Sequence, residues 1–282
     1  MTTIAVVIMG ELVEGDDGLQ VEEVGRWAKD KIASLCRYID ISRAVRKKWL
    51  GPGKGGAAYV ELFCGPGRSR IRRTNEYIDG SCMAAWKASI ASKAPFSAVY
   101  VGDADEYRRS LAIERLKRAG APVVELSGTA VQAAFEARSL LRANGLNFVF
   151  VDPYNLGAFE FDVMKAFAGL RYIDMLVHIS KMDLQRNTGM NIKAQQSAFD
   201  NFAPDWRSTV NLNQRHAAIR REVFEYWCQK VAELGISTSA DMQLITGEGG
   251  QHLYWLTLVA KHDLAHKFWK TASNSSGQRS FL

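Results

Sequence analysis

Seven short runs that are apolar at nearly every position punctuate the chain: Ala57 to Phe63, Ala98 to Gly102, Pro122 to Leu126, Asn147 to Val151, Ile173 to Ser180, Asp241 to Thr246 and Leu253 to Ala260. Helix-length segments separate them. A strand with one wet face alternates apolar and polar residues, whereas a strand that is apolar throughout needs cover on both faces. Helices packed on both sides of a mostly parallel sheet give that cover. The pattern therefore predicts a doubly wound α/β fold, Rossmann-like in its layering, with seven strands.

The spacing also sets the organisation. A helical pattern runs from about Val21 to Trp49, and Gly51, Pro52, Gly53, Gly55 and Gly56 end it. The gap between Ser180 and Asp241 is longer than one crossover needs. It holds two helical patterns, near Asn191 to Asn201 and Asn213 to Leu234, and reads as a helical insertion over about 183–238. The expected layout is a lead-in over 1–56 and one Rossmann-like domain over 57–282. A chain of 282 residues buries roughly three quarters of its unfolded surface, so its core needs no disulfide or structural metal. The four scattered cysteines, Cys36, Cys64, Cys82 and Cys228, agree with that and read as thiols of a reducing compartment. Met1 to Gly10 lacks the basic leader of a signal peptide, and no stretch approaches the ~20 apolar residues of a membrane span. The expectation is a soluble, cytoplasmic protein without a membrane partner, with a frayed tail from Ala272 to Leu282.

Three strand ends carry the residues suited to chemistry. The first run continues as Glu61-Leu62-Phe63-Cys64-Gly65-Pro66-Gly67, an acid followed by a turn whose glycines let the backbone approach a ligand. The second ends at Asp103, where a doubly wound sheet places the carboxylate that receives ribose hydroxyls. Asp105, just before a helical stretch, reads as a helix N-cap. The fourth run breaks at Asp152-Pro153-Tyr154-Asn155. Transfer of a methyl group to an exocyclic amine needs an acceptor for the amine hydrogens and a flat surface for the ring. Asp152 with the Pro153 carbonyl suits the first need, and Tyr154 suits the second.

On these residues the chain resembles the class I S-adenosylmethionine-dependent methyltransferases. That resemblance implies a methionine-binding turn at Glu61, Phe63, Gly65 and Gly67, a ribose acid at Asp103 with Ala104 beside it, and an amine-acceptor motif at Asp152, Pro153, Tyr154 and Asn155. Among Glu125, Ser127 and Thr129, Thr129 is the candidate against the adenine. More narrowly, the chain is similar to the three-Cys-motif partner proteins of bacteria and mobile elements. The likeness rests on Glu61 to Gly67, Asp79-Gly80-Ser81, Val151 to Tyr154, Met182-Asp183-Leu184-Gln185-Arg186-Asn187, and Tyr254 to His262. It implies S-adenosylmethionine as cofactor and a radical-enzyme-like partner, and its name implies no reaction. The single proline after Asp152 is closer to the tRNA guanine N2-methyltransferases than to the enzymes that methylate adenine or cytosine amines.

The charge is uneven. Between Ile41 and Asn75 nine basic residues face one acid, a local +8 in a chain of net +6, which leaves −2 elsewhere. Lys47, Lys48, Arg68, Arg70, Arg72 and Arg73 are the candidate contacts to RNA or DNA phosphates. The five histidines read as solvated or capping rather than as metal ligands, since His262 and His266 have no third ligand nearby. At least two of Trp206, Trp227, Trp255 and Trp269 read as core. Two functions are carried forward: a methyltransferase acting on a nucleic-acid base amine, and a catalytically silent methyltransferase fold that works through a protein partner.

Overall fold

The computed structural model describes residues 10–274. The strands are β1 (Leu12–Glu14), β2 (Gln20–Val24), β3 (Ala57–Glu61), β4 (Arg68–Ile71), β5 (Tyr77–Asp79), β6 (Ala98–Gly102), β7 (Val123–Leu126), β8 (Leu146–Val151), β9 (Ile173–Ser180), β10 (Ser237–Thr246) and β11 (His252–Ala260). The helices are α1 (Trp27–Ile41), α2 (Arg43–Lys47), α3 (Ser81–Ala91), α4 (Glu106–Arg118), α5 (Ala130–Leu140), α6 (Asp162–Ala168), α7 (Lys181–Arg186), α8 (Thr188–Lys193), α9 (Ala198–Phe202), α10 (Trp206–Thr209), α11 (His216–Glu233) and α12 (Asp263–Asn274).

The seven apolar runs form one sheet in the order β10-β11-β9-β8-β3-β6-β7. All neighbours from β7 to β9 are parallel, and β11 runs antiparallel to both β9 and β10. The doubly wound expectation holds, and the reason is visible residue by residue. Along β3, Ala57 and Tyr59 point into one core while Ala58 and Val60 point into the other. The first core is closed by α1, α3, α4 and α12, the second by α5, α6 and α11. From β3 the chain turns one way to β6 and β7, then crosses back to β8, so the strand order reverses between β3 and β8. In such sheets ligands bind at that reversal, outside the carboxyl ends of the strands.

A second sheet of four strands, β1-β2-β4-β5, was not expected. The predicted helix from Val21 is a strand as far as Val24, because β2 pairs in parallel with β4, Glu22 opposite Ser69 and Val24 opposite Ile71. No local pattern signals a partner that lies more than forty residues away, and the helix begins only at Trp27. The lead-in thus shares a sheet with residues just past the glycine turn and lies over it.

Between β9 and β10 stand α7 to α11. The pattern over Asn213 to Leu234 corresponds to α11, whereas that over Asn191 to Asn201 is split into α8 and α9. Trp206, Trp227 and Trp269 are fully buried and Trp255 is half-buried. All four cysteines are free thiols, with Cys64 and Cys82 buried. Helix α12 carries regular structure to Asn274, and the remainder of the expected tail lies outside the described residues, as do Met1 to Met9. Among the described residues no helix is long and apolar enough to cross a membrane.

Candidate functional site

The turn after β3 is held by backbone that only glycine enters cheaply. Gly65 and Gly67 have φ of +53° and +78°, and a Cβ on Gly67 would lie 3.1 Å from the Ala112 Cα. Gly80 N–H donates to the Gly67 carbonyl at 2.8 Å, which fixes the turn to the start of α3. Next to it, the Gly65 amide donates to Asp103 Oδ2 at 2.9 Å and the Asp105 amide to Asp103 Oδ1 at 2.9 Å. Asp103 is 2% exposed, and burial raises its pKa while those two amides oppose the shift. Asp105 caps α4 as expected, accepting from the amides of Tyr107 and Arg108.

Glu61 closes the end of β3 with no exposure at all. Tyr59 Oη donates to its Oε2 at 2.7 Å and Ser81 Oγ to its Oε1. Burial pushes its carboxyl up to about 8 against the pull of both hydroxyls. Glu22 of β2 reaches over the same turn, 3.2 Å from Arg108, and burial raises its pKa too. Two buried carboxyls, Glu61 and Asp103, and the half-buried Glu22 therefore surround the glycine turn.

On the far side of the same cavity lies Asp152. Its Oδ2 is bound by Lys31 of α1 and its Oδ1 by His178 Nδ1 at 2.8 Å. Burial alone would raise this carboxyl, but the Lys31 ammonium and the His178 hydrogen bond hold it well below the usual carboxylate range. The strand register places the pair: Val151 lies opposite Val177, so Asp152 and His178 are the next neighbours on adjacent parallel strands. His178 packs against Tyr254 with ring centroids 3.9 Å apart. Its Nε2 is buried and has no hydrogen-bond partner among the described residues. Glu22, Lys31, Phe63, Gly65, Gly67, Ser81, Asp152, Pro153, Tyr154 and His178 all line this one cavity, of about 160 Å³.

Several expected roles change. Asp152 is not a free acceptor, since each of its oxygens already holds a cation or an imidazole. Tyr154 is exposed and lines the cavity, so its ring is open for stacking, while its hydroxyl donates to Asp103 Oδ2 at 3.3 Å. Asn155 caps a short 3₁₀ turn over Leu156–Ala158, accepting from the Ala158 amide at 2.9 Å. Thr129 is an exposed N-cap of α5 in a capping box with Gln132, and Ala104 is exposed beside Asp103.

Three of the nine basic residues of the cluster are paired with acids outside its window. Arg68 pairs with Asp16 and Asp79, Arg70 with Glu23 and Arg43 with Asp40. Lys47, Lys48, Arg72 and Arg73 remain exposed. His262 is a capping histidine as expected, accepting from the Leu264 amide at 3.1 Å. His178 overturns the solvated reading.

His178 and Lys31 were the residues that sequence reasoning missed. A polar side chain inside a strand covered on both faces was the available signal. The segments that carried the family resemblance meet at this site. Ser81 holds Glu61, Asp183 accepts from the Leu156 amide at 2.8 Å just past Tyr154, and Tyr254 packs on His178.

No protein-family model and no curated protein matches the chain. Among solved structures it is similar to a candidate transferase from Pyrococcus horikoshii, with 12% identity, a TM-score of 0.39 and 79% of this chain aligned. The chain spans less than two thirds, 63%, of that protein. It is also similar to a candidate O-methyltransferase from Klebsiella pneumoniae, with 14% identity, a TM-score of 0.41, and 84% of this chain and 90% of that one covered. A third is the plantazolicin methyltransferase BpumL in complex with SAH, with 9% identity, a TM-score of 0.37, and coverage of 83% and 88%.

Proposed function

We propose that the chain is an S-adenosylmethionine-dependent methyltransferase in which His178 accepts the proton of the incoming nucleophile. One observation carries the reading. A single cavity at the strand-order reversal is walled on one side by the glycine turn and on the other by the Asp152–His178 pair.

The residues present suit the cofactor. Asp103, at the end of the strand next to β3, would receive the ribose hydroxyls, and the Gly65–Gly67 backbone would pass beneath the amino-acid end. Glu22 is half-buried and lines the cavity, and Glu61 and Asp103 are buried beside the turn; a ligand that carries an ammonium and a sulfonium would offset the cost of ionising them. The cofactor, when bound, supplies a methyl group on a positively charged sulfur, a good leaving group.

The protein's own task is placement and proton handling. Lys31 and Asp152 fix the imidazole with Nδ1 turned to the carboxylate, which leaves Nε2 to take a proton. That arrangement suits a phenolic or other hydroxyl, or an acidic N–H, better than an aromatic amine, which needs no base before attack. Total RNA, the polymer suggested by the charge cluster, is the natural comparator to a panel of phenols in a transfer assay with labelled cofactor.

The silent-fold reading draws on a different observation. The cavity is about 160 Å³, roughly half the ~300 Å³ at the lower end for small-molecule sites. Tyr154 and Glu22 lie over Asp103 and Gly65, so a cofactor enters only when they swing aside. Isothermal titration with S-adenosylmethionine separates the two: saturable binding that Asp103→Ala removes supports the enzyme, and absence of binding to the wild type ends that reading.

A further inference from the structure

A second cavity, of about 530 Å³, opens at the other end of the main sheet, where β3, β8 and β9 begin. Its floor is aromatic and dry: Tyr38, Phe96, Phe148 and Ile173 are all buried. Tyr38 and Phe148 stack there with ring centroids 5.1 Å apart. Its mouth is cationic. Lys48, Arg171 and Lys261 line it, are exposed, and have no carboxylate within ion-pair distance among the described residues.

A fourth cation lies deeper. Arg46 is 2% exposed and its guanidinium meets only uncharged acceptors: the carbonyls of Ala94 and Ile39 and the hydroxyls of Ser42 and Ser92, at 2.6–3.2 Å. It stacks over the Phe96 ring at 4.9 Å. A buried charge with no carboxylate in direct contact, on which Asp40 acts only through space, is costly, and it leaves a positive potential in the cavity it lines. The one acid on the wall, Asp174, is engaged by the Tyr38 hydroxyl at 2.8 Å. The remaining titratable wall residue, His262, has its Nδ1 occupied by the Leu264 amide.

Four cations against one engaged acid, around an aromatic floor of this volume, match a ligand with a flat apolar body and an anionic group. We propose that this cavity binds an aryl anion, with its ring against Phe148 and Phe96 and its charged group among Lys48, Arg171 and Lys261. The site shares no lining residue with the glycine-turn cavity, so it stands whether or not the methyltransferase reading does.

The test is isothermal titration of the full chain with naphthalene-2-sulfonate and with its uncharged counterpart, naphthalene-2-sulfonamide. The sulfonate should bind at one site, about tenfold more tightly than the sulfonamide, and weaken as salt is raised. Lys48→Ala/Lys261→Ala, both exposed, should weaken the sulfonate about tenfold and leave the sulfonamide unchanged. Arg171→Ala serves as a second variant, with circular dichroism to show that each is folded. Absence of sulfonate binding, equal affinity for the two probes, or a sulfonate affinity untouched by these variants overturns the proposal. So does loss of binding in Asp103→Ala, which would place the probe at the other edge.

Discussion

The two ends of the seven-stranded sheet are made by the same strands and differ in what they do with charge. At the carboxyl end, Glu61 and Asp103 are buried, Asp152 is half-buried, and each of their carboxyl oxygens has a donor. Glycines bring the backbone close, and the His178 Nε2 has no hydrogen-bond partner among the described residues. At the amino end the cations are the unmatched groups, and aromatic rings fill the floor. Helix α1 walls both, with Lys31 at the first and Tyr38 at the second. The difference follows from the fold: loops that leave the strands at one end gather polar side chains from several segments, while at the other end α1, α2 and α12 surround an aromatic-floored cavity.

The sharpest way to break this contrast is at His178. If the carboxyl end performs proton transfer, His178→Gln lowers turnover by about 10²–10⁴-fold while cofactor affinity stays as in the wild type. Transfer of labelled methyl to the phenol panel reads the first and titration the second. A fall in both together would make His178 a packing residue of the cofactor pocket.

Asp103→Ala comes next. It removes the group assigned to the ribose, and the expected loss is about a hundredfold in cofactor affinity. Naphthalene-2-sulfonate binding should not change. If both affinities fall, the probe sits in the glycine-turn cavity and the amino-end site is overturned.

A third prediction concerns pH. The Glu61 carboxyl sits at about 8 in the folded chain against an ordinary 4.5. Between those values the native state keeps a proton that the unfolded chain has released. Its contribution to stability is therefore full below the ordinary value and is lost as pH rises through about 8, by up to about 1.4 kcal/mol per pH unit. Thermal melting across that range should show the decline, and Glu61→Gln should flatten it. A melting temperature that rises over the same interval in the wild type but not in the variant would reverse the assigned sign.

The sheet was legible in the sequence and the amino-end cavity was not, and the gaps have physical causes. Continuous apolar runs such as Ile173 to Ser180 announced a doubly covered sheet, and Glu61, Gly65, Gly67 and Asp103 followed from where a strand ends in such a sheet. What failed was anything that depended on partners distant along the chain. The β2 strand needs β4, and the +8 segment needs Asp16, Glu23, Asp40 and Asp79 before three of its nine basic residues are seen to be paired. His178 looked like one of five unremarkable histidines until strand register set it beside Asp152. Thr129 shows the opposite error: a polar residue at a strand end was read as a ligand when its hydroxyl was needed for a helix cap.

The smallest expected effect tests whether the amino end is, as argued, a matter of packing and charge alone. Tyr38→Phe keeps the ring that stacks on Phe148 and removes only the hydroxyl that donates to Asp174. The carboxyl it leaves can still be met by water through the half-buried side of Asp174, so the loss should be that of one hydrogen bond, about 0.5–1.5 kcal/mol in a denaturant titration. Cofactor affinity should not move, even though Tyr38 and Lys31 lie on one helix only about 10 Å apart by its rise. The reason is that Lys31 is held by Asp152 at its own end and does not need the Tyr38 hydroxyl to stay there. A cofactor affinity that falls with Tyr38→Phe would mean that α1 carries displacement from one end of the sheet to the other. Filling the amino-end cavity would then alter the site at the glycine turn.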